Sequence, residues 1–170
     1  MKADLYVTLV TSKDPMTPGL NAAENYERGL VLRKAGLFKQ AVEEFEQAAT
    51  ESGYALKAYA QIGLCHKSRG RHEDAVAAFR KALQSSSGST KEKVQILYVL
   101  GRSLELLGRM EETLEAYRWI RREDPDYRDV AQRIQHLSSK RWSASGGRSA
   151  QPSWVTGVLR SWQSLLGTTK

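Results

Sequence analysis

The chain has 170 residues, a length that suits one domain of moderate size with flanking segments. Hydrophobic residues make up 41% of it, which is enough to build a core, so a fully disordered chain is excluded. The formal net charge of +7 favours acidic partners or surfaces, and the single cysteine excludes an internal disulfide.

Residues 1–20 are predicted to be a separate segment. Leu5, Val7 and Leu9 alternate with their neighbours in the manner of a short strand, and two prolines then interrupt the chain. The segment is either a loosely docked tail or an apolar strand that covers a nearby surface or pairs with a partner's sheet edge. We expect a cytoplasmic protein, because this segment lacks the long apolar run of a signal peptide and no window of the chain is apolar enough to span a membrane.

Five positions then recur along the chain. The second copy follows the first at an offset of 34 residues, and the third follows the second at an offset of 38, because a Ser-rich stretch at 85–90 adds four residues. The recurring residues are Gly29, Gly36, Ala41, Phe45 and Ala48, then Gly63, Gly70, Ala75, Phe79 and Ala82, and finally Gly101, Gly108, Thr113, Tyr117 and Ile120. A fixed period in this range indicates an array of repeats.

Each copy is predicted to be a pair of helices. Asn21 with Glu24, and Ser89 with Glu92, have the spacing of a capping box, which predicts a helix start at each place. The second glycine of each copy, such as Gly36, suits a tight turn between two helices. The domain at 21–137 is thus divided into repeats at about 22–55, 56–89 and 94–127 and a capping helix at 126–137 that begins near Asp124-Pro125.

Small and large residues predict how the paired helices pack. Gly63 and Gly101 allow close approach, and Phe79 and Tyr117 have the size to fill the space beside them. Cys65 falls at a small-residue position on the inner side of a helix, so we expect a packed, unreactive thiol.

On these residues the chain resembles the tetratricopeptide repeat family over about residues 22–125. The second copy matches that family's signature at Tyr59, Ile62, Gly63, Gly70, Ala75, Phe79 and Ala82. His66 departs mildly from the aromatic that the family prefers, and Asn25 and Arg28 replace large apolar residues in the terminal first copy. The resemblance implies an all-α fold, a right-handed α-solenoid of helix–turn–helix repeats, that binds proteins.

In that family the first helix of each pair lines a concave groove that takes an extended peptide or a helix. The corresponding residues here are Tyr26, Leu30, Arg33, Lys57, Gln61, Leu64, Lys67, Gln95, Tyr98 and Arg102. Such a mixed surface suits a ligand with apolar anchors and negative charge, although an ordinary solvated helix face has the same composition. The cations with which some relatives grip a chaperone's terminal carboxylate are absent from these positions, so that clamp is disfavoured.

No pattern in the sequence indicates catalysis. We find no Gly-rich phosphate loop, no metal-ligand spacing and no nucleophile beside a base, so we expect no enzyme activity and no cofactor. Glu43, Glu44 and Glu46 are predicted to be a solvated helix face.

The C-terminal segment is predicted to have two parts. Residues 138–152, rich in serine, glycine and cations, indicate a basic flexible linker. Residues 153–167 indicate an amphipathic helix whose apolar face carries Trp154, Val158, Leu159, Trp162, Leu165 and Leu166. So short a helix is marginal alone in water, and it docks on the repeats, on a partner or on a membrane surface.

The sequence therefore predicts a non-enzymatic protein-interaction module, acting as an adaptor, scaffold or assembly factor. The alternative is a peripheral membrane- or envelope-associated assembly factor anchored by its C-terminal helix. Nucleic-acid binding is disfavoured, because a short basic tail is a weak signal, and self-association through exposed repeat ends stays open. The stretch that ends at Leu137 resembles the close of many bacterial repeat proteins, which favours a bacterial cytoplasm.

Overall fold

The structure, a computed structural model, describes the backbone of residues 21–144 and the side chains of residues 21–139. Three pairs of helices and a seventh helix make up this part of the chain. The predicted N-terminal strand at 1–20 and the predicted amphipathic helix at 153–167 lie outside these residues. Within them the chain forms seven helices and no strand, so the predicted all-α fold of helix–turn–helix repeats is confirmed.

The helices fall into two compact units that divide between Ser87 and Gly88. The first unit contains α1 (Ala22–Lys34), α2 (Phe38–Ala48), α3 (Ser52–Ser68) and α4 (His72–Gln84). Each of these helices packs on the next, and α1 also packs on α3. The second unit contains α5 (Thr90–Leu106), α6 (Met110–Glu123) and α7 (Val130–Ala144), with α6 packed on both of its neighbours.

Both predicted capping boxes are confirmed. The backbone N–H of Glu24 donates to Oδ1 of Asn21 at 2.9 Å, and the backbone N–H of Asn21 donates to the Glu24 carboxylate at 3.1 Å. At the start of α5, Glu92 N donates to Ser89 Oγ at 3.3 Å and Ser89 N donates to the Glu92 carboxylate at 2.8 Å. Each reciprocal pair satisfies donors that a helix N-terminus otherwise leaves open.

The turns inside the three helical pairs are also as predicted. Gly36, Gly70 and Gly108 have φ angles of +78°, +72° and +71°, in the left-handed region that glycine adopts without a steric cost. Each glycine stands between the two helices of a pair, so the chain reverses direction at the same repeat position each time.

Within each pair, an aromatic ring lies directly on the backbone of a glycine in the first helix. A Cβ atom built on the glycine would lie far inside van der Waals contact with the ring, and all three rings are fully buried. The pairs and the Cβ-to-ring distances are Gly29 with Phe45 (2.6 Å), Gly63 with Phe79 (2.4 Å) and Gly101 with Tyr117 (2.5 Å). The predicted packing of large rings against small residues is confirmed at every repeat.

Cys65 lies in the core of the first unit. Its side chain is buried beside Ala58, Ile62 and Ala78, as predicted for a packed thiol. Burial raises the pKa of the Cys65 thiol to about 11, and the nearby positive charges of Arg33 and Arg69 offset only part of that rise.

The start of the capping helix differs from the prediction. Asp124 ends α6, as expected, but α7 begins at Val130 rather than directly after Pro125. Arg128 has a φ of +47°, a left-handed backbone that interrupts helical geometry, and its guanidinium lies over the ring of Tyr98. The helix thus begins several residues later than predicted, next to a segment that contacts α5.

The end of the capping helix also differs from the prediction. The helix continues to Ala144, so residues 138–144 are not the linker that we predicted. These residues include no glycine or proline, and the first glycine after α7 is Gly146. The helix buries Val130, Ile134 and Leu137.

We expect Gly63→Ala to lower the free energy of unfolding by about 1–3 kcal/mol, because the new methyl group would overlap the buried Phe79 ring. Urea unfolding followed by circular dichroism measures this change. Gly53→Ala is the matched control: Gly53 lies in the same helix with nothing within 4 Å of the added atom. That variant should be as stable as wild type or up to about 1 kcal/mol more stable. Equal stability of the two variants would contradict the packing account.

We also expect the Cys65 thiol to react slowly with a disulfide reagent in native protein at pH 8, because it is buried and its pKa of about 11 leaves almost no thiolate. Absorbance of the released thiol measures the rate, and guanidinium-unfolded protein provides the fast reference. Equal rates for folded and unfolded protein would show that the thiol is accessible.

Candidate functional site

The candidate site of the first unit is carried by α1 and α3, which pack side by side. On α1, Tyr26, Leu30 and Arg33 follow the four- and three-residue spacing of one helix face. On α3 the corresponding face carries Lys57, Gln61, Leu64 and Lys67. The structure joins the two faces directly, since Nε2 of Gln61 donates to the hydroxyl of Tyr26 at 3.4 Å.

The ring of Tyr26 packs against other aromatic rings and is not fully exposed to solvent. Its ring centroid lies 5.6 Å from that of Phe45 and 5.7 Å from that of Tyr54, and the residue is half-buried. Leu30 likewise packs against the core of the first unit. The apolar side of these residues therefore stabilises the fold, and their remaining surface is what a partner can contact.

The cations of this face form no ion pair within the described part of the chain. Lys57 is exposed, and Lys67 and Arg33 are half-buried. Among residues 21–139 none of the three forms an ion pair, and Nε of Arg33 is buried without a hydrogen-bond acceptor. On the neighbouring helix, Oε1 of Gln61 is buried without a donor.

In the second unit, Tyr98 is engaged by the segment that precedes α7. Its hydroxyl donates to Oδ1 of Asp129 at 2.8 Å, and the guanidinium carbon of Arg128 lies 4.7 Å from its ring centroid. Its ring also lies 5.7 Å from that of Tyr127 and 6.3 Å from that of Tyr117. Tyr98 is therefore largely occupied by contacts within its own unit.

The other two predicted residues of the second unit differ from each other. Gln95 is exposed, whereas Arg102 is half-buried with its Nε 4.0 Å from the Glu105 carboxylate. The cation on this part of α5 is thus already beside an acid of the same helix.

A polar network that we did not predict ties α5, α6 and α7 together. Nη1 of Arg133 donates to both oxygens of Glu105, at 3.2 and 3.0 Å, and Nε of Arg133 lies 2.8 Å from the Asp129 carboxylate. The Tyr117 hydroxyl donates to Glu105 at 3.1 Å. Only the four-residue spacing of Asp129 and Arg133 was visible in the sequence; the contacts between helices were not.

The pKa values in this network follow from those contacts. Partial desolvation acts to raise the pKa of Asp129, but the Arg133 guanidinium and the Tyr98 hydroxyl lower it below its ordinary value. Burial, together with the adjacent Glu105 carboxylate, raises the pKa of Tyr117. The Asp129 carboxylate therefore stays charged near neutral pH beside Arg133 and Tyr98.

We find no arrangement for metal binding or membrane crossing in the described residues. No three His, Cys, Asp or Glu side chains in that range converge on a position that could hold a metal ion. No helix within the same residues is long and apolar enough to cross a membrane. The residues predicted for the tail surface, Trp154, Val158, Leu159, Trp162, Leu165 and Leu166, lie beyond the described range.

Comparison with known proteins identifies a repeat in part of the chain and a shared fold. A model of the tetratricopeptide repeat matches residues 26–90. Two crystal structures of the protein MamA, each 17% identical to the chain, share its fold with TM-scores of 0.60 and 0.63. The first match covers 86% of this chain and 72% of the other, and the second covers 97% and 85%.

Curated proteins provide no match to the chain. The resemblance drawn from the recurring glycines and aromatic residues is nevertheless confirmed by the repeat match and by the glycine–ring contacts of the structure. Residues 26–90 therefore carry tetratricopeptide repeats, and the chain shares the fold of the two MamA structures.

Proposed function

We propose that the protein is a non-catalytic adaptor or assembly factor that binds a peptide or helix of a partner protein on the outward faces of its first helices. The repeat fold supports a protein-interaction role in general. The choice of surface rests on how α3 divides its residues. One side, with Ala58, Ile62 and Cys65, is core, whereas Lys57 and Lys67 on the other side contribute no ion pair among the described residues.

The packed helices that carry this face, which we call the frame, favour binding because they are folded before a partner arrives. Capping boxes, glycine turns and glycine–ring contacts hold α1 and α3 in place without a ligand. Binding therefore does not have to offset the entropy lost on ordering this surface, which is one of the main free-energy costs of association. Leu64 adds a half-buried apolar side chain between the two lysines of α3.

The second unit has a weaker claim to the binding role. Tyr98 and Arg102 are engaged by Asp129, Arg128 and Glu105 of the same unit. A ligand there would have to replace existing contacts, so we assign the main contact surface to the first unit. The membrane alternative depends on residues 153–167, and no described residue favours it.

We expect Leu64→Arg to abolish capture of a partner protein from cell lysate by the immobilised full-length chain. The long side chain would obstruct the α3 face whatever the chemistry of the ligand, while its stem still covers the apolar surface beneath. Titration with the captured partner should show at least about a tenfold rise in Kd.

Ala77→Arg is the matched control, because Ala77 is exposed on α4, a second helix of its pair. Circular dichroism and urea unfolding check that both variants are folded. Capture of the same proteins by wild type and Leu64→Arg would contradict the assignment of this face.

A further inference from the structure

The two units differ in which of their cations form ion pairs among the described residues. In the second unit, the arginines at 102, 109, 118 and 133 each lie within 4.0 Å of an acidic side chain. In the first unit, ion pairs occur away from the α1–α3 face, for example between Arg71 and Asp74 at 2.6 Å. The cations on the α1–α3 face itself, Arg33, Lys57 and Lys67, have no such pair among residues 21–139.

The composition of α3 explains why these charges stay uncompensated. The helix carries Lys57 and Lys67 but no aspartate or glutamate. On α1, Glu24 is used in the capping box, and Arg28 forms an ion pair with Glu44 of α2 at 3.4 Å. The other acid of α1, Glu27, is exposed and forms no ion pair with Arg33, Lys57 or Lys67. The face therefore presents positive charge that no residue of its own helices neutralises in the described part of the chain.

The side chain of Arg33 favours an anionic ligand. It is half-buried and has no ion pair among the described residues. Hydrogen bonds from a guanidinium to a carboxylate are charge-assisted and stronger than those between neutral groups. A peptide with acidic side chains provides such carboxylates.

The arrangement fits a peptide better than a nucleic acid. Leu30 and Leu64 place apolar surface among the cations, which suits alternating apolar and acidic side chains. The ring of Tyr26 packs between Phe45 and Tyr54, so it does not offer a free face for stacking on a base. Lys57 and Lys67 are ten residues apart in α3, a rise of about 15 Å, which matches acids spaced along one segment rather than one terminal carboxylate.

We propose that the partner of the first unit is an acidic peptide segment with interspersed apolar residues, held by Arg33, Lys57 and Lys67 on the α1–α3 face. This inference rests on the proposed function and adds the chemistry of its ligand. The second unit, in which Arg102 and Arg133 lie beside acids of the same unit, adds little to this recognition.

The test is a selection of binders from a random peptide display library with the immobilised full-length protein. We expect the enriched peptides to contain several Asp or Glu residues together with Leu, Ile, Val or Phe. Synthetic copies should bind Arg33→Gln/Lys57→Gln/Lys67→Gln at least about tenfold more weakly than wild type, and rising salt should weaken wild-type binding.

Two controls separate this face from general positive charge. Lys39→Gln removes an exposed cation of α2, and Arg118→Gln removes an exposed, paired cation of α6, and each should change Kd less than about twofold. Enrichment of peptides without acids, or acid-rich peptides that bind the triple variant as tightly as wild type, would overturn the inference and leave the proposed function standing.

Two further outcomes of the selection would count against the proposed function or the inference. Enrichment of no peptide at all would count against the proposed function, and the inference would fall with it. Binding of a single-stranded oligonucleotide that needs the same three cations and displaces the peptides would overturn the inference in favour of a nucleic-acid partner.

Discussion

The contact between a glycine backbone and a buried aromatic ring determines the spacing of the two helices in each pair. At Gly63 the Phe79 ring leaves no room for even a methyl group, so the helices approach as closely as backbone and ring allow. The same contact recurs in each of the three pairs. The positive-φ glycine of each turn reverses the chain, so that the second helix can place its aromatic ring on the glycine of the first. Any side chain at Gly63 would separate the helices.

This constraint divides the residues of the first helices into two sets. Those that face the second helix, such as Ile62 and Cys65, are buried and account for folding. Those on the other side, such as Lys57 and Lys67, are left without a structural role in the described residues. In the second unit the division is less complete, because the approach to α7 brings Asp129 onto Tyr98. Rigidity comes from the first set, and we propose that the second set provides selectivity for a partner.

Features set by neighbouring residues could be predicted from the sequence, and features set by distant contacts could not. The turn at Gly36 and the capping box at Asn21 depend on local chemistry, and the repeat period revealed the glycine–ring contacts. The left-handed backbone of Arg128 accompanies a contact with Tyr98 thirty residues earlier, which the sequence does not reveal, and the late start of α7 was not predicted. For the same reason helical register identified the face that carries Tyr26 but not that its ring is already packed.

The most direct test of this division is a nuclear magnetic resonance titration of isotope-labelled protein with an acid-rich peptide that it binds. Backbone amide shifts should change most along α1 and α3, near Arg33, Lys57 and Lys67, with little change in α2 and α4. The core contacts should persist, because the frame is formed before the ligand arrives. Largest changes in α2 or α4, or loss of the native spectrum on binding, would contradict the separation of the folding set from the binding set.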